Sequence, residues 1–416
     1  MRDGRAIPRR AAFALVAALL LSACNKHPGA TNVASTTGAP RTAKAHRSEP
    51  RQPEPLAVAE RDKVIRRDAD VIRAECQRAA GGDWDKWRSD TAAYRAALRD
   101  RISGLKPAGE QSELRKGPGM SELRFEPLPG LDDFPLVEIG ARDYLTYLGD
   151  ITCFDGFYRD NAVVAAHRWL RQRGVDLIFV PVPKMTEVYI EHFVQPGPAD
   201  GVIAPHVRRT LLELLDAGVE VVDAFAFFRP KRDPDPEYLY LAADAHWGPP
   251  GMRLAARELA RRIARYEFGK AAAGARAVVK CIPEGGQALE QHGFAILNSK
   301  QRERFAAVTK NPPSITTPDG RAVPDDPGSP VLLIGNSFTR NFREVLVHEL
   351  NLLVHADWSP GQTTEAFADL LREPERLDNR QVVIWISSLP AMAHLKPLPA
   401  AVAGPAKQAA DKRDGT

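Results

Sequence analysis

The sequence predicts an α/β fold: a mostly parallel sheet flanked by helices, preceded by an N-terminal helical extension. Three observations carry this. From about residue 135 onward, short apolar runs alternate with amphipathic stretches. The runs are largely apolar rather than alternating in polarity, as in parallel strands covered on both faces. Gly174 and Gly218 stand where helix C-caps are expected. At 416 residues with 44% hydrophobic content, the chain can bury a sizeable core. A formal charge of +4 spread over 57 basic and 53 acidic residues leaves no basic stripe, which excludes nucleic acid as a partner.

The chain begins with a targeting segment. Arg2, Arg5, Arg9 and Arg10 form a positive n-region, and the apolar run 11–21 is too short to span a bilayer as a permanent helix. It ends in Leu21-Ser22-Ala23-Cys24, which resembles the lipobox of bacterial lipoproteins. Residues 1–24 are therefore expected to be a lipoprotein signal peptide, with Cys24 lipidated. An ordinary secretory signal with an incidental cysteine is the simpler alternative. Lipidation places the protein on the periplasmic side of a bacterial membrane, inner or outer, held by its acyl chains. Residues 25–55, rich in Pro, Thr, Ala, Ser and Arg, form a disordered tether. The last segment, 396–416, is expected to be a disordered tail.

Residues 56–104 read as a helical hairpin. Ile65, Ala69, Ile72, Cys76 and Ala79 recur at helical spacing, Gly81-Gly82-Asp83 breaks the pattern, and Trp87, Thr91, Tyr94, Leu98 and Ile102 resume it. These stripes suit packing against a domain or a partner, and they hold no nucleophile–base pair. Residues 105–134 read as loop. The catalytic domain is expected over 135–395, with strands at 136–139, 145–148, 177–182, 219–225, 331–334, 352–355 and 382–386. Helices are expected at 161–173, 206–217, 251–266, 340–349 and 364–372. The Pro- and Gly-rich stretch 268–330 interrupts the alternation and reads as an insertion. Cys76, Cys153 and Cys281 remain after export, as core residues or with one pair joined in a disulfide. No CxxC or Cys/His cluster points to a metal, and no cofactor is implied.

Ligands of such sheets bind beyond the carboxyl ends of the strands. Those ends carry Pro183-Lys184, Asp223, Asp244-Ala245-His246, Asn336-Ser337 and Ser387-Ser388. In Gly335-Asn336-Ser337-Phe338 a buried strand runs into a tight turn that exposes a serine hydroxyl and backbone N–H groups able to stabilise an oxyanion. A serine so placed can equally be a plain helix N-cap. Asp244-Ala245-His246-Trp247 supplies a carboxylate and an imidazole from one loop, and Pro249, Pro250 and Gly251 fix that loop before a helix. Taken together, Ser337, His246 and Asp244 form a candidate triad.

These segments resemble the alginate O-acetyltransferase AlgX/AlgJ type of SGNH-hydrolase-like domain. That family carries a D-T-H-W segment followed, much later in the chain, by a G-D-S-F segment. This order is permuted relative to ordinary SGNH esterases, whose serine comes first. Residues 173–184 also resemble the family's Val-Pro-x-Lys strand, and the likeness spans about 135–390. It implies an acetyl-accepting Ser337, His246 as general base and acid, and Asp244 as its orienter. It further implies a polysaccharide acceptor and a membrane-bound O-acyltransferase as acetyl source. Asn336 replaces the family's Asp, and Ala245 its Thr.

Weaker candidates surround the triad. Gly335 and Asn336 shape the oxyanion turn. Lys184 meets an anionic sugar or an oxyanion, or is a solvated strand end. Trp247 stacks on a sugar or packs under its loop. Arg340, three residues after Ser337, binds a carboxylate or is a surface residue. The first reading is an exported O-acetyltransferase or acetylesterase acting on hydroxyls of an extracellular or cell-envelope polysaccharide through an acetyl-serine. The alternative is a weak or inactive glycan-binding scaffold of a polysaccharide secretion complex, to which the Asn336 and Ala245 departures point. A lipid-cleaving esterase facing the membrane is the third.

Overall fold

The computed structural model describes residues 55–103, 136–139, 142–145, 161–194, 196–231, 239–241, 246–283, 285–286, 312–358, 365–392 and 395. Cys24, Cys153, Asp244, Ala245, the tether, the 105–134 segment and the tail lie outside these residues. The helices are α1 (Pro55–Ala80), α2 (Trp84–Asp90), α3 (Ala92–Ser103), α4 (Asn161–Arg171), α5 (Met185–Val188), α6 (Ile190–Phe193), α7 (Pro205–Asp216) and α8 (Ala224–Phe228), followed by α9 (Pro249–Ile263), α10 (Glu267–Gly274), α11 (Phe342–Leu350), α12 (Glu365–Arg372) and α13 (Leu389–Met392). The strands are β1 (Leu136–Ile139), β2 (Arg142–Leu145), β3 (Asp176–Val182), β4 (Glu220–Val221), β5 (Lys280–Ile282), β6 (Ser314–Thr316), β7 (Val331–Gly335), β8 (His355–Trp358) and β9 (Val382–Ser388).

Five strands form a parallel sheet in the order β4-β3-β9-β7-β8. Chain from β3 winds outward to β4, chain from β7 winds outward the other way to β8, and β9 returns between β3 and β7. Sheets of this kind open a crevice at the carboxyl ends where the winding reverses. The central strands are buried along almost their whole length, which is why they read as unbroken apolar runs. On one face Trp385 of β9 stacks on Phe367 of α12 at 5.3 Å, and Phe367 meets Trp169 of α4 edge-on at 5.7 Å. Helices α4 and α7 end as the sequence predicts. Gly174 and Gly218 adopt φ of 73° and 84°. Val175 and Val219 donate back to Leu170 and Leu214, closing Schellman caps.

Several elements differ from the expectation. The run 219–225 gives a strand of only two residues, because Asp223 turns the chain into α8. The strand expected at 352–355 lies at 355–358, after Asn351 ends α11 in the left-handed region at φ 50°. Apolarity marks the turn beneath the edge there rather than the strand itself, whose residues are half-buried. Pro181 sits inside β3 without breaking it. Phe179 faces β4 and accepts from Val222, so by alternation Pro181 also faces that side, where β4 has already ended. The stretch 268–330 includes most of α10 and the antiparallel β5–β6 pair. Cys76 and Cys281 are both free thiols.

The N-terminal helices are a layer of the same core. Ala57, Ile65, Ala69, Ile72 and Leu98 belong to the apolar cluster that contains the sheet. Buried ion pairs reinforce the contact. Arg61 of α1 donates to Asp176 at 2.7 Å, and Arg171 and Tyr266 also hold that carboxylate, at 2.5 and 2.6 Å. Asp68 and Glu75 accept from Arg262 and Arg208, each at 2.8 Å. Burial raises the Asp176 carboxyl, but the Tyr266 hydroxyl and the two guanidinium groups outweigh it and hold its pKa below the ordinary carboxylate range.

Beside this cluster His167 is buried, and its Nδ1 has no hydrogen-bond partner among the described residues. Burial, with Arg61 and Arg171 nearby, lowers its pKa to about 4. The unfolded chain, with an ordinary histidine, takes up a proton that the folded protein refuses. Stability is therefore full above about pH 6.5 and falls as pH drops toward about 4, by about 3 kcal/mol from this residue. Denaturant midpoints of His167→Gln are expected to be much flatter over that interval than those of wild type. Equal slopes would contradict the assignment.

Candidate active site

Two segments converge beyond the carboxyl ends of β3, β9 and β7. The first is the turn after β7. Gly335 has φ 155°, and a Cβ there would lie 2.3 Å from the Ile386 carbonyl oxygen and 2.6 Å from Thr339 Oγ1. Only glycine allows β7 to run so close to β9 before turning. Asn336 caps the short 3₁₀ turn Ser337–Thr339: its Oδ1 accepts from Phe338 N–H at 3.2 Å. Its Nδ2 donates to Ser388 Oγ, 3.3 Å away at the end of β9. Ser337 thus stands in a 3₁₀ turn before α11, not at the helix N-terminus that the sequence suggests. Since Asn336 takes the Phe338 N–H, that group is already occupied. Ser337 N–H has no acceptor among the described residues.

The second segment carries His246. Leu241 N–H donates to the His246 carbonyl at 3.0 Å, and Gly248 N–H to the Leu239 carbonyl at 2.7 Å, around a Tyr240–Trp247 bridge. The Tyr240 hydroxyl donates to the Pro183 carbonyl at 2.6 Å, tying this strap to the end of β3. Pro249 and Pro250 open α9 directly after it. Gly251 is required at the contact, since a Cβ would meet the Leu239 carbonyl oxygen at 2.4 Å.

These scaffolds bring His246 Nε2 to 2.7 Å from Ser337 Oγ, across 91 residues of sequence. With Nε2 unprotonated the serine hydroxyl donates to it, which is the ground-state arrangement of a nucleophile and its general base. The imidazole packs on the Phe338 ring with centroids 4.5 Å apart. The third member of the candidate triad, Asp244, falls outside the described residues.

The other candidates divide. Gly335 and Asn336 shape the serine turn. Trp247 is 1% exposed, stacked on Phe342 at 4.8 Å and edge-on to Phe338 at 5.8 Å; of its two possible roles, packing under the loop is the one its surroundings support. Lys184 is 3% exposed, so it is not a solvated strand end; it caps α5, and its backbone N–H donates to Glu187 Oε2 at 3.0 Å. Arg340 is half-buried at the end of the 3₁₀ turn. Sequence reasoning notes Ser388 only as a strand end and Phe338 only as the last residue of its motif, and it does not name Phe342, whose aromatic spacing after the serine is the one available signal. Among the described residues, no group of three or more His, Cys, Asp or Glu side chains could hold a metal ion.

The profile of the SGNH hydrolase-like domain of the acetyltransferase AlgX matches residues 158–387, more than half of the chain. Among solved structures, the O-acetyltransferase domain of Pseudomonas putida AlgJ is 18% identical, with 62% of this chain and 93% of that one covered at a TM-score of 0.45. Pseudomonas aeruginosa AlgX is also 18% identical; the match covers 62% of this chain and 63% of that one, at a TM-score of 0.44. Bacillus cereus PatB1 is 11% identical, with 61% and 96% covered at 0.36. No curated protein sequence matches the chain.

Proposed function

The chain belongs to the family of the SGNH hydrolase-like domain of the acetyltransferase AlgX, and from that membership we propose an exported serine-dependent O-acetyltransferase or acetylesterase acting on polysaccharide hydroxyls. The observation that carries the chemistry is the 2.7 Å contact between His246 Nε2 and Ser337 Oγ. Ser337 Oγ attacks the acetyl carbonyl as its proton passes to His246 Nε2. The oxyanion then collapses, expelling the donor's oxygen, which takes the proton from His246, and acetyl-Ser337 remains. A sugar hydroxyl or water next gives its proton to His246 and attacks that ester; Ser337 Oγ leaves, takes the proton back from His246, and both groups are restored. Ser337 N–H is the oxyanion donor the turn supports, and Asp244 is the group proposed to hold the far nitrogen of His246.

An inactive scaffold draws its support from Asn336 in place of the family's Asp. The hydrogen bonds of Asn336 weaken that argument. It caps the serine turn through a side-chain oxygen, a role either residue fills, and it is not placed as a base. Acetyl release from an aromatic acetate ester tests the proposal: wild type is expected to turn over and Ser337→Ala to be inactive. Equal turnover of the two would remove it.

The proposed acceptor is an extracellular or cell-envelope glycan, and the proposed acetyl source is a membrane-bound O-acyltransferase. Among the described residues no helix is long and apolar enough to cross a membrane. We assign attachment to Cys24, with the protein on the periplasmic side. Cys24→Ser is expected to release the protein from the membrane fraction and abolish acyl labelling; retention of both would exclude the anchor.

A further inference from the structure

Among the described residues, two side-chain hydrogen bonds join the His246 strap to the Ser337 turn. One is the His246–Ser337 contact itself. The other runs from Trp247 Nε1–H to the Phe338 carbonyl at 3.1 Å. Each partner of the second bond follows a partner of the first by one residue, so the second contact repeats the first one step along both chains. Trp247 is buried at 1% exposure, Phe338 at 8% and Phe342 at 0%; the indole packs on both phenyl rings, and Phe338 in turn packs on the imidazole.

The two bonds differ in what the reaction does to them. Once Ser337 Oγ is esterified it has no hydrogen to donate, so the His246–Ser337 bond is gone for the second half of the cycle. The bond from Trp247 involves no reacting group and survives. We propose that Trp247 is a positioning residue whose indole N–H holds His246 over the acyl-serine, so that the imidazole can activate the acceptor hydroxyl or water. This rests on the acetyl-serine reading above. Of these two bonds between strap and turn, free enzyme has both to set the geometry, whereas acyl-enzyme keeps only the second. Loss of the indole N–H therefore slows deacylation more than acylation.

The test is rapid-quench and steady-state kinetics with an aromatic acetate ester, on wild type, Trp247→Phe and Ser337→Ala. Phenylalanine keeps an aromatic ring against Phe342 and Phe338 and removes the donor along with one ring of the indole. A small displacement of a reacting group costs up to about 10²-fold. For Trp247→Phe, deacylation is expected to fall at least about tenfold and acylation by less than about threefold. Acetyl-Ser337 should then accumulate in the steady state, visible by intact mass. A residue that only supports folding would slow both steps together. Equal slowing of the two steps, or no slowing of deacylation, overturns the inference. Where the phenylalanine variant fails to fold, 3-benzothienylalanine at position 247, which keeps the indole shape with sulfur in place of N–H, gives the same readout. Turnover by Ser337→Ala equal to wild type would remove the acyl-serine itself, a failure distinct from that of Trp247.

Discussion

Replacing Ser337 and His246 together with alanine is expected to slow turnover scarcely more than replacing either one. The two side chains share a single hydrogen bond of 2.7 Å and a single task. Without Ser337 there is no acyl acceptor for His246 to deprotonate. Without His246 the hydroxyl of Ser337 is a weak nucleophile at its free pKa. Units of this kind lose roughly 10³- to 10⁶-fold in turnover with the first member removed and little more with the second. Asp244→Asn is expected to cost a comparable or smaller factor, acting through the tautomer and orientation of His246. Steady-state rates of the three alanine variants decide the matter. Multiplying losses in the double variant would show that the serine and the histidine act independently.

Arg208→Ala is expected to cost a large share of the protein's stability. Its Nε donates to Glu75 of α1 at 2.8 Å and its Nη1 to Asp223 beyond β4 at 2.6 Å, with the side chain 3% exposed. A small cavity lined by Pro181, Pro183, Phe225 and Leu389 lies beside this arginine. Removing the guanidinium strands two carboxylates in a poorly hydrated place. Glu75 is already raised above the ordinary range, with burial outweighing the attraction of Arg208. Breaking a buried pair in this way costs about 3–5 kcal/mol, which lowers the melting temperature by roughly 10 °C in a domain of this size. Thermal unfolding followed by circular dichroism checks it. A shift of only a degree or two would show that the carboxylates find water, and that the Arg208 pairs add little to the docking of α1.

The parallel sheet was legible because its central strands are buried on both faces and so spell themselves out as apolar runs. The edges were not. β4 contributes two residues and β8 is half-buried, so neither has the continuous apolarity that identifies β3, β7 and β9. Ser337 and His246 were legible because strand ends concentrate ligand-binding groups and the two segments carry complementary chemistry. The contacts that hold them in register were harder to see. Trp247 Nε1 to Phe338 and Asn336 to Ser388 join residues 91 and 52 positions apart, and nothing in a single chain marks which tryptophan or serine will meet which carbonyl or amide. The helical stripes at 65–98 announced packing, but the ion pairs that tie α1 into the sheet depend on Asp176, Arg262 and Arg208. Taken alone, these are ordinary charged residues on a strand and two helices.

The central claim is that Ser337 carries the acetyl group between donor and acceptor. Wild-type protein mixed with an excess of an aromatic acetate ester, quenched in acid within the first turnovers and measured by intact mass and peptide mapping, tests it directly. The account predicts one added acetyl group, on Ser337, absent from Ser337→Ala and formed far more slowly in His246→Ala. Turnover in wild type with no acetyl on Ser337, or with the label on another residue and undiminished in Ser337→Ala, would contradict it.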